Sequence, residues 1–459
     1  VYEPVFRNVL FPAYEALVKR RGTPRHLRDL VRSQRFDADD VRALQLERLN
    51  RLLAHCWTEV PFLKAYWGDH GLAPGALGAI DDLERYPLID KRIIADHHAD
   101  MVAASWRGRT LSKTTGGTTG DPFRFEYTMD SYARRTAAMW RGYEWAGAGL
   151  GTRTAYLWGT GQRTEGWGAV KDRLYHGAFN RRFFDAFALR TDTLDSVIEA
   201  MAAYRPRAVV GYVAPVALVA RRMLATGRTI HGLRGVLTGA EALLAPERAD
   251  IERAFGCPAF ESYGSREFML MASECERHEG LHVTAEHLVL ETVDAAGRAV
   301  TGASGRVVVT DLFNYGMPFV RYLNGDAATY STRRCSCGRG LPLLESVDGR
   351  LLDGFTTPDG RVLVGEYFVY AMLDVPGVVQ WQVVQTAPDA LEFRMVCHDR
   401  MGQETTERLR RKVQATAGPA MRVDVVQVES IPTTRSGKRR LTVSLERAAL
   451  EGVGGIAER

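Results

Sequence analysis

Ala208-Val-Val-Gly211 reads as a short, fully buried strand, and a helical run from about Pro215 to Ala225 follows it. Gly235-Val-Leu-Thr238 repeats the strand pattern, Pro246 to Phe255 repeats the helical one, and another strand begins at Phe260. Upstream, Ala155 to Trp158 is a further apolar strand and Leu194 to Tyr204 an amphipathic helix. A strand followed by a helix and then a strand returns parallel to itself, because the helix carries the chain back across the sheet. The alternation predicts an α/β fold with mostly parallel sheets flanked by helices. Sheets of this kind bind ligands in loops at the carboxyl ends of their strands. The glycine-rich turns of this chain fall at such positions.

Working outward, the first hundred residues read as helical. Thr23-Pro24 is read as a cap followed by a proline at the first helical position, and Val41, Leu44, Leu49, Leu52, Leu53 and Cys56 recur at helical spacing. From Leu288 the pattern becomes antiparallel: Leu288 to Val293, the turn Asp294-Ala-Ala-Gly297 and Gly305 to Thr310 predict a hairpin. A third pattern starts near Arg350. The turn Pro358-Asp-Gly360, a helix around Glu366 to Leu373, the strand pair Val378 to Thr386 and Leu391 to Val396, a helix Glu404 to Ala415 and a strand Val423 to Val428 predict a small α+β unit. The expected domains are an N-terminal body, 1–349, and a C-terminal α+β domain, 350–459.

Composition excludes several classes. The 459 residues carry a formal charge of +5, are 46% hydrophobic and 25% charged, and so describe an ordinary globular chain rather than a disordered one. Basic residues are scattered among acids with no stripe, so no nucleic-acid partner is expected. The most apolar stretch, Val209 to Ala220, is about half a bilayer span and contains Pro215, so no membrane segment is expected. Val1-Tyr-Glu-Pro lacks the features of a secretory signal. Six cysteines in this length make no disulfide framework, and a cytoplasmic location follows as the expectation. Only 7 of the 60 basic residues are lysines, with none between Lys171 and Lys412, so each lysine in a chemical context stands out.

The strongest local motif is Lys113-Thr-Thr-Gly-Gly-Thr-Thr-Gly-Asp-Pro122. Thr114, Thr115, Gly116, Gly117, Thr118, Thr119 and Gly120 combine exposed amides with hydroxyls, which suits polyphosphate oxygens; a solvent loop is the bland alternative. No Gly-Lys-Ser/Thr follows, so it is not a Walker loop. Four more segments come after it in order: Thr238-Gly-Ala-Glu241, Glu261-Ser-Tyr-Gly-Ser-Arg-Glu267, Arg321-Tyr-Leu-Asn-Gly-Asp326 and Ser436-Gly-Lys438.

Together these segments resemble the core motifs of the adenylate-forming (ANL) superfamily, which includes acyl-CoA synthetases and peptide-synthetase adenylation domains. Ser273-Glu-Cys-Glu276, Gly280-Leu-His282, Met317-Pro-Phe-Val-Arg321 and Cys335-Ser-Cys-Gly-Arg339 are similar to the phenylacetate-coenzyme A ligase and CapK-like branch. The resemblance implies that Thr114 to Gly120 hold the β- and γ-phosphates of ATP, and that Gly239, Ala240 and Glu241 line the adenine. It implies that Tyr263, within Ser262, Tyr263, Gly264 and Ser265, stacks on the base or the adjoining substrate, that Glu267 ligates magnesium and that Asp326 accepts the ribose hydroxyls. Arg350 and the pivot Asp353 match the family's hinge motif. Lys438 matches the lysine of a mobile C-terminal domain that neutralises charge between the carboxylate and the α-phosphate during adenylation. Where the family's loop ends Gly-Lys-Pro, this chain has Gly120-Asp121-Pro122, an anion in place of a cation.

Cys335-x-Cys337 followed by glycine is a metal-knuckle pattern, and Cys275, His278 and His282 lie earlier in the chain. Three thiolates and one imidazole would close a structural zinc site. Cys275, His282, Cys335 and Cys337 are the expected ligands, with His278 the substitute for His282. For the acyl pocket, Trp158-Gly159 and Tyr212 to Ala214 offer aromatic walls with small floors suited to a flat ring, although core packing explains Trp158 equally well.

The reading is an ATP- and magnesium-dependent ligase that adenylates a carboxylic acid, expected to be an aryl acid, and passes the acyl group to coenzyme A. An amine, an alcohol or a carrier-protein thiol remains open as the acceptor, and a homodimer is expected from the branch. A nucleotide-binding relative without turnover is the alternative of another class, and Asp121 is the feature that points to it.

Overall fold

The computed structural model describes residues 2–115, 123–159, 167–190, 192–347, 354–363, 365–372, 375–397, 401–431 and 441–445. Its strands begin with β1 (Leu111–Thr115) and β2 (Phe123–Tyr127), which form a two-stranded ladder. Next come β3 (Thr154–Trp158), β4 (Arg181–Asp185), β5 (Ala208–Tyr212) and β6 (Gly235–Gly239). They are followed by β7 (Ala259–Ser265), β8 (Met269–Glu274), β9 (Leu281–Val283), β10 (Leu288–Val293), β11 (Ser304–Asp311), β12 (Tyr322–Tyr330) and β13 (Leu343–Val347). The last are β14 (Phe355–Thr356), β15 (Val362–Leu363), β16 (Val378–Ala387), β17 (Ala390–Cys397), β18 (Arg422–Gln427) and β19 (Thr442–Val443).

Contacts divide the chain into two compact units. One gathers Val1–Thr114, Arg124–Thr152 and Phe260–Gly349; the other gathers Thr115–Phe123, Arg153–Ala259 and Arg350–Arg459.

In the first unit, the helix Thr23–Ser33 starts one residue earlier than the Thr-Pro pair implied. Gly22 is the N-cap, Pro24 sits in the first turn, and the Thr23 hydroxyl donates to Glu15 at 2.5 Å instead of capping. The helix Ala38–Glu59 is capped by Asp37, which accepts from the Asp40 N–H at 2.8 Å, and it buries Val41, Leu49, Leu52, Leu53 and Cys56. The sheet of this unit runs β10-β11-β12-β13-β9-β8-β7, with antiparallel pairing from β10 through β9 to β8 and β7. Antiparallel pairing therefore begins at β7, earlier than the Leu288 read from sequence, because the short turn Arg266 to Phe268 reverses the chain. The hairpin of β10 and β11 is as expected, with Leu288 opposite Asp311 and Val293 opposite Arg306. The helix Met129–Trp145 packs against Thr23–Ser33 and β8 and buries two arginines. Each is neutralised by a buried carboxylate, Arg135 by Asp311 at 2.6 Å and Arg141 by Glu286 at 2.5 Å.

In the second unit, β6, β5, β3 and β4 lie in that order and all pair parallel. The helices Leu194–Tyr204, Val213–Thr226 and Ala245–Phe255 form at the expected places. Further along, β16 and β17 pair antiparallel, β18 runs parallel to β17 and β19 parallel to β16, with the helices Gly365–Ala371 and Gln403–Ala417 beside them. One apolar core joins the α/β part to this C-terminal part, from Leu157, Val216 and Phe255 to Phe368, Phe393 and Val413.

Candidate functional site

The expected site residues fall into three clusters. The first surrounds Asp326 on β12. The Tyr263 hydroxyl donates to Asp326 Oδ2 at 2.9 Å, and Asn324 Nδ2 donates to the same oxygen at 3.0 Å and to the Tyr263 hydroxyl at 2.7 Å. Asn324 Oδ1 also accepts from the Asp326 N–H at 3.0 Å. Asn324 and Asp326 stand two apart on one strand, so both side chains leave the same face and meet Tyr263 arriving from β7. One carboxylate oxygen is thereby fixed in direction. A fixed carboxylate with a second oxygen suits recognition of paired hydroxyls.

Ser262, Tyr263, Gly264 and Ser265 lie within β7 rather than after it, and the turn to β8 carries Glu267. Gly264 cannot be replaced without displacing backbone, since a Cβ there would lie 2.1 Å from the Met269 carbonyl oxygen. Glu267 is buried, with a Tyr322 hydroxyl donating to it at 3.1 Å and the Lys91 ammonium 3.5 Å away. Lys91 opens the helix Lys91–Asp96, whose N-cap Asp90 accepts from the Ile93 N–H at 2.9 Å. Arg321 of the Arg-Tyr-Leu-Asn-Gly-Asp motif is an anchor. Its buried guanidinium donates to the carbonyls of Glu84, Tyr86 and Gly297, each at 2.8 Å, and pairs with Glu291 at 2.9 Å.

The second cluster lies in the parallel sheet. Thr238 and Gly239 end β6 and the turn after it carries Ala240 and Glu241; Ala240 is left-handed at φ 69°, a strained conformation for a residue with a Cβ. Glu241 accepts from the Ala214 N–H at 2.6 Å, tying this turn to the first turn of the helix Val213–Thr226. Trp158 and Tyr212 end neighbouring strands, and their ring centroids are 4.2 Å apart. Phe187 approaches Tyr212 at 6.1 Å and presses so closely on Gly159 that a Cβ there would lie 2.2 Å from its ring. Glycine at 159 is thus what permits the aromatic wall.

The third cluster is the expected metal group. Cys275, His282, Cys335 and Cys337 converge so that their ligand atoms all lie within 4.8 Å of one another. Cys275 and Cys335 sulfurs are 3.7 Å apart, and Cys337 Sγ is 3.3 Å from His282 Nε2. A tetrahedral ion with metal–sulfur bonds of about 2.3 Å places its sulfurs about 3.8 Å apart, so the donor set fits zinc. The Arg277 and Arg339 N–H groups each reach a sulfur at 3.5 Å, on Cys275 and Cys337. His282 Nδ1 faces the Leu341 carbonyl at 3.4 Å, which leaves Nε2 for a metal. His278 is elsewhere, 3.4 Å from Glu274 with its ring against Phe260, so the structure brings His282 and not His278 to the sulfurs.

Thr114 is exposed at the end of β1, and the backbone of Thr115 continues that strand. Gly116, Gly117, Thr118, Thr119, Gly120, Asp121, Arg350, Asp353 and Lys438 lie outside the described residues. Sequence reading missed Lys91, Asn324 and Tyr322. Asn324 carried a signal, its two-residue spacing from Asp326; Lys91 carried another, the scarcity of lysine.

The fold is that of adenylate-forming ligases. A solved structure of 2-hydroxyisobutyryl-CoA ligase in complex with 2-HIB-AMP and CoA matches it with a TM-score of 0.62 at 21% identity, covering 91% of this chain and 92% of that one. Residues 355–444 match the CapK C-terminal domain family. The chain is 24% identical over 447 residues to a phenylacetate-coenzyme A ligase of Thermus thermophilus, covering 89% of this chain and 97% of the relative. It is 20% identical over 456 residues to Protein CapK of Staphylococcus aureus, covering 96% and 97%. The chain is thus similar in sequence to phenylacetate-coenzyme A ligases and to Protein CapK, and it shares the fold of an acyl-CoA ligase.

Proposed function

We propose that the protein is an ATP-dependent, AMP-forming ligase that joins a carboxylic acid to coenzyme A. A carboxylate oxygen attacks the α-phosphorus of ATP and pyrophosphate leaves; the thiolate of coenzyme A then attacks the acyl carbon and AMP leaves. The observation that carries this reading is the Tyr263–Asn324–Asp326 triangle, a fixed carboxylate at the position the motif order reserves for ribose. The near full-length similarity to phenylacetate-coenzyme A ligase supports it.

Within this reading, Thr114 to Gly120 hold the terminal phosphates, Gly239 to Glu241 the adenine, and Asp326 the ribose. Glu267 would hold magnesium, which when bound would offset phosphate charge. Carboxylate and phosphate repel one another, so the rate depends on positioning and on cations aimed at the developing charge; Lys438 serves that purpose. Residues 350–459 act as the mobile domain that brings it, pivoting at Asp353 with Arg350 in the hinge. Trp158, Gly159, Tyr212 and Ala214 face a planar acyl group, which favours an aryl acid. Cys275, His282, Cys335 and Cys337 would hold a structural zinc ion, which would brace the fold and not act on substrate. Reduced cysteines of this kind suit the cytoplasm.

The test is a pyrophosphate-release screen over aryl and alkyl acids, with and without coenzyme A. Acid-dependent release that coenzyme A accelerates is the expected result. Release that coenzyme A leaves unchanged with every accepted acid would remove that acceptor in favour of an amine, alcohol or carrier thiol. No release with any acid would remove the ligase reading.

A further inference from the structure

Phe187 stands behind the acyl wall proposed above, and side chains of the C-terminal part stand behind Phe187. Asp185 ends β4 beside Trp158 of β3, and its carboxylate accepts from the Phe187 N–H at 3.0 Å. That turn sets the Phe187 ring against Gly159 and nearly parallel to the Tyr212 ring, with 18° between the planes and 6.1 Å between centroids. Tyr212 in turn packs on Trp158 at 4.2 Å. Two more rings meet Phe187 edge to face, Tyr367 at 5.9 Å and Tyr370 at 5.6 Å, both from the helix Gly365–Ala371.

The two tyrosines are themselves fixed. The Tyr367 hydroxyl donates to the Lys412 carbonyl at 3.0 Å, and the Lys412 ammonium donates to the Tyr370 carbonyl at 3.3 Å, which ties their helix to Gln403–Ala417. Three residues after Phe187 the chain is held again: Arg190 bridges to Arg361, and its guanidinium donates to the Asp359 carbonyl at 2.9 Å. Tyr212 and Tyr367 are buried and Phe187 partly so. Rings packed in these offset and edge geometries pass a change of volume on to their neighbours. The wall read from sequence stops at Tyr212 and Ala214, whereas the series of rings continues to Tyr367 and Tyr370.

We infer that Phe187 is a positioning residue for the acyl group: it holds Tyr212 against Trp158, Tyr367 holds Phe187, and the C-terminal part thereby helps set which acids the ligase accepts. This rests on the ligase reading above and on its aryl wall. Shortening Phe187 gives Tyr212 room to withdraw, and a wall that withdraws admits a wider ring system.

The experiment measures pyrophosphate release by the full-length protein with benzoate and with 2-naphthoate. Phe187→Leu is expected to raise the ratio of kcat/KM for 2-naphthoate over benzoate by about tenfold, the scale on which an apolar pocket discriminates size, with the KM for ATP unchanged. Tyr367→Leu is expected to move the ratio in the same direction, and Tyr367→Phe, which keeps the ring, to leave it near the original value. In the double variant the two shifts should not add, because Tyr367 acts through Phe187. A structural defect alone would lower both acids together and leave the ratio where it was. That result overturns the inference, as do additive shifts or a shift in Phe187→Leu that Tyr367→Leu lacks. If the unaltered protein turns over alkyl acids and neither aryl acid, the aryl wall and this inference fall while the ligase reading stands; no release with any acid removes both.

Discussion

Tyr263 on β7 spends its phenolic proton on Asp326 of β12, 2.9 Å away, so the aromatic residue of one motif orients the carboxylate of another. Removing that proton alone should loosen the contact proposed between Asp326 and ribose without disturbing the ring. Tyr263→Phe is expected to raise the KM for ATP about fivefold, the scale of one hydrogen bond near 1 kcal/mol, with kcat little changed. Steady-state pyrophosphate release against ATP concentration measures it; an unchanged KM would show that the bond does not matter to nucleotide binding.

Lys438→Ala separates binding from chemistry. Adenylation should fall about a hundredfold or more, as losses of single charge-stabilising groups do. ATP affinity by calorimetry should hold. Turnover equal to that of the unaltered protein would strip Lys438 of its role.

Metal content gives a third test. Purified protein should carry stoichiometric zinc by elemental analysis, and Cys335→Ser should lose it together with thermal stability. Absence of zinc from freshly prepared, reduced protein would dismiss the site.

The fourth prediction concerns pH. His287 is buried, 3.5 Å from Asp311, and burial pushes its pKa down to about 4; the Asp311 charge opposes this, while Arg135, Arg134 and Arg48 add to it. In the unfolded chain its pKa is about 6.5. Between those values the unfolded state binds the proton and the folded state does not, so stability falls as pH drops below about 6.5 and goes on falling to about 4. The gap corresponds to roughly 3 kcal/mol. Urea unfolding at several pH values should show that slope, and His287→Gln should flatten it; an equal slope in the variant would assign the effect to other groups.

The alternation from Ala155 to Phe260 was legible because its apolar runs are too short for helices, lie next to glycines and alternate with longer helical runs. The helix Met129–Trp145 was not. Its buried face mixes Ser131, Arg135, Thr136 and Arg141 with Ala133, Ala137, Ala138 and Trp140, so the apolar stripe that marks a helix is interrupted until Asp311 and Glu286 are seen to neutralise the arginines. The strand Arg181–Asp185 was missed for a related reason: only one of its five residues, Phe184, is fully buried. Among site residues, those inside glycine-rich turns were readable, because turns advertise backbone demands. Partners such as Lys91 and Tyr322 depend on which distant strand or helix arrives beside Glu267, and local spacing holds no record of that. The cysteine cluster was readable despite its long separation, because thiols in a knuckle need further donors and this chain has few.

The sulfurs of Cys275 and Cys335 meet although sixty positions separate them along the chain. An ion bound by both closes a loop of that size. By chain-entropy reckoning, such closure removes roughly 4 kcal/mol worth of freedom from the unfolded ensemble. The knuckle would therefore act where no substrate is present, on the disordered chain, by holding β8 and the segment before β13 within reach of each other. A protein stripped of metal could keep every contact of its folded form and still refold slowly.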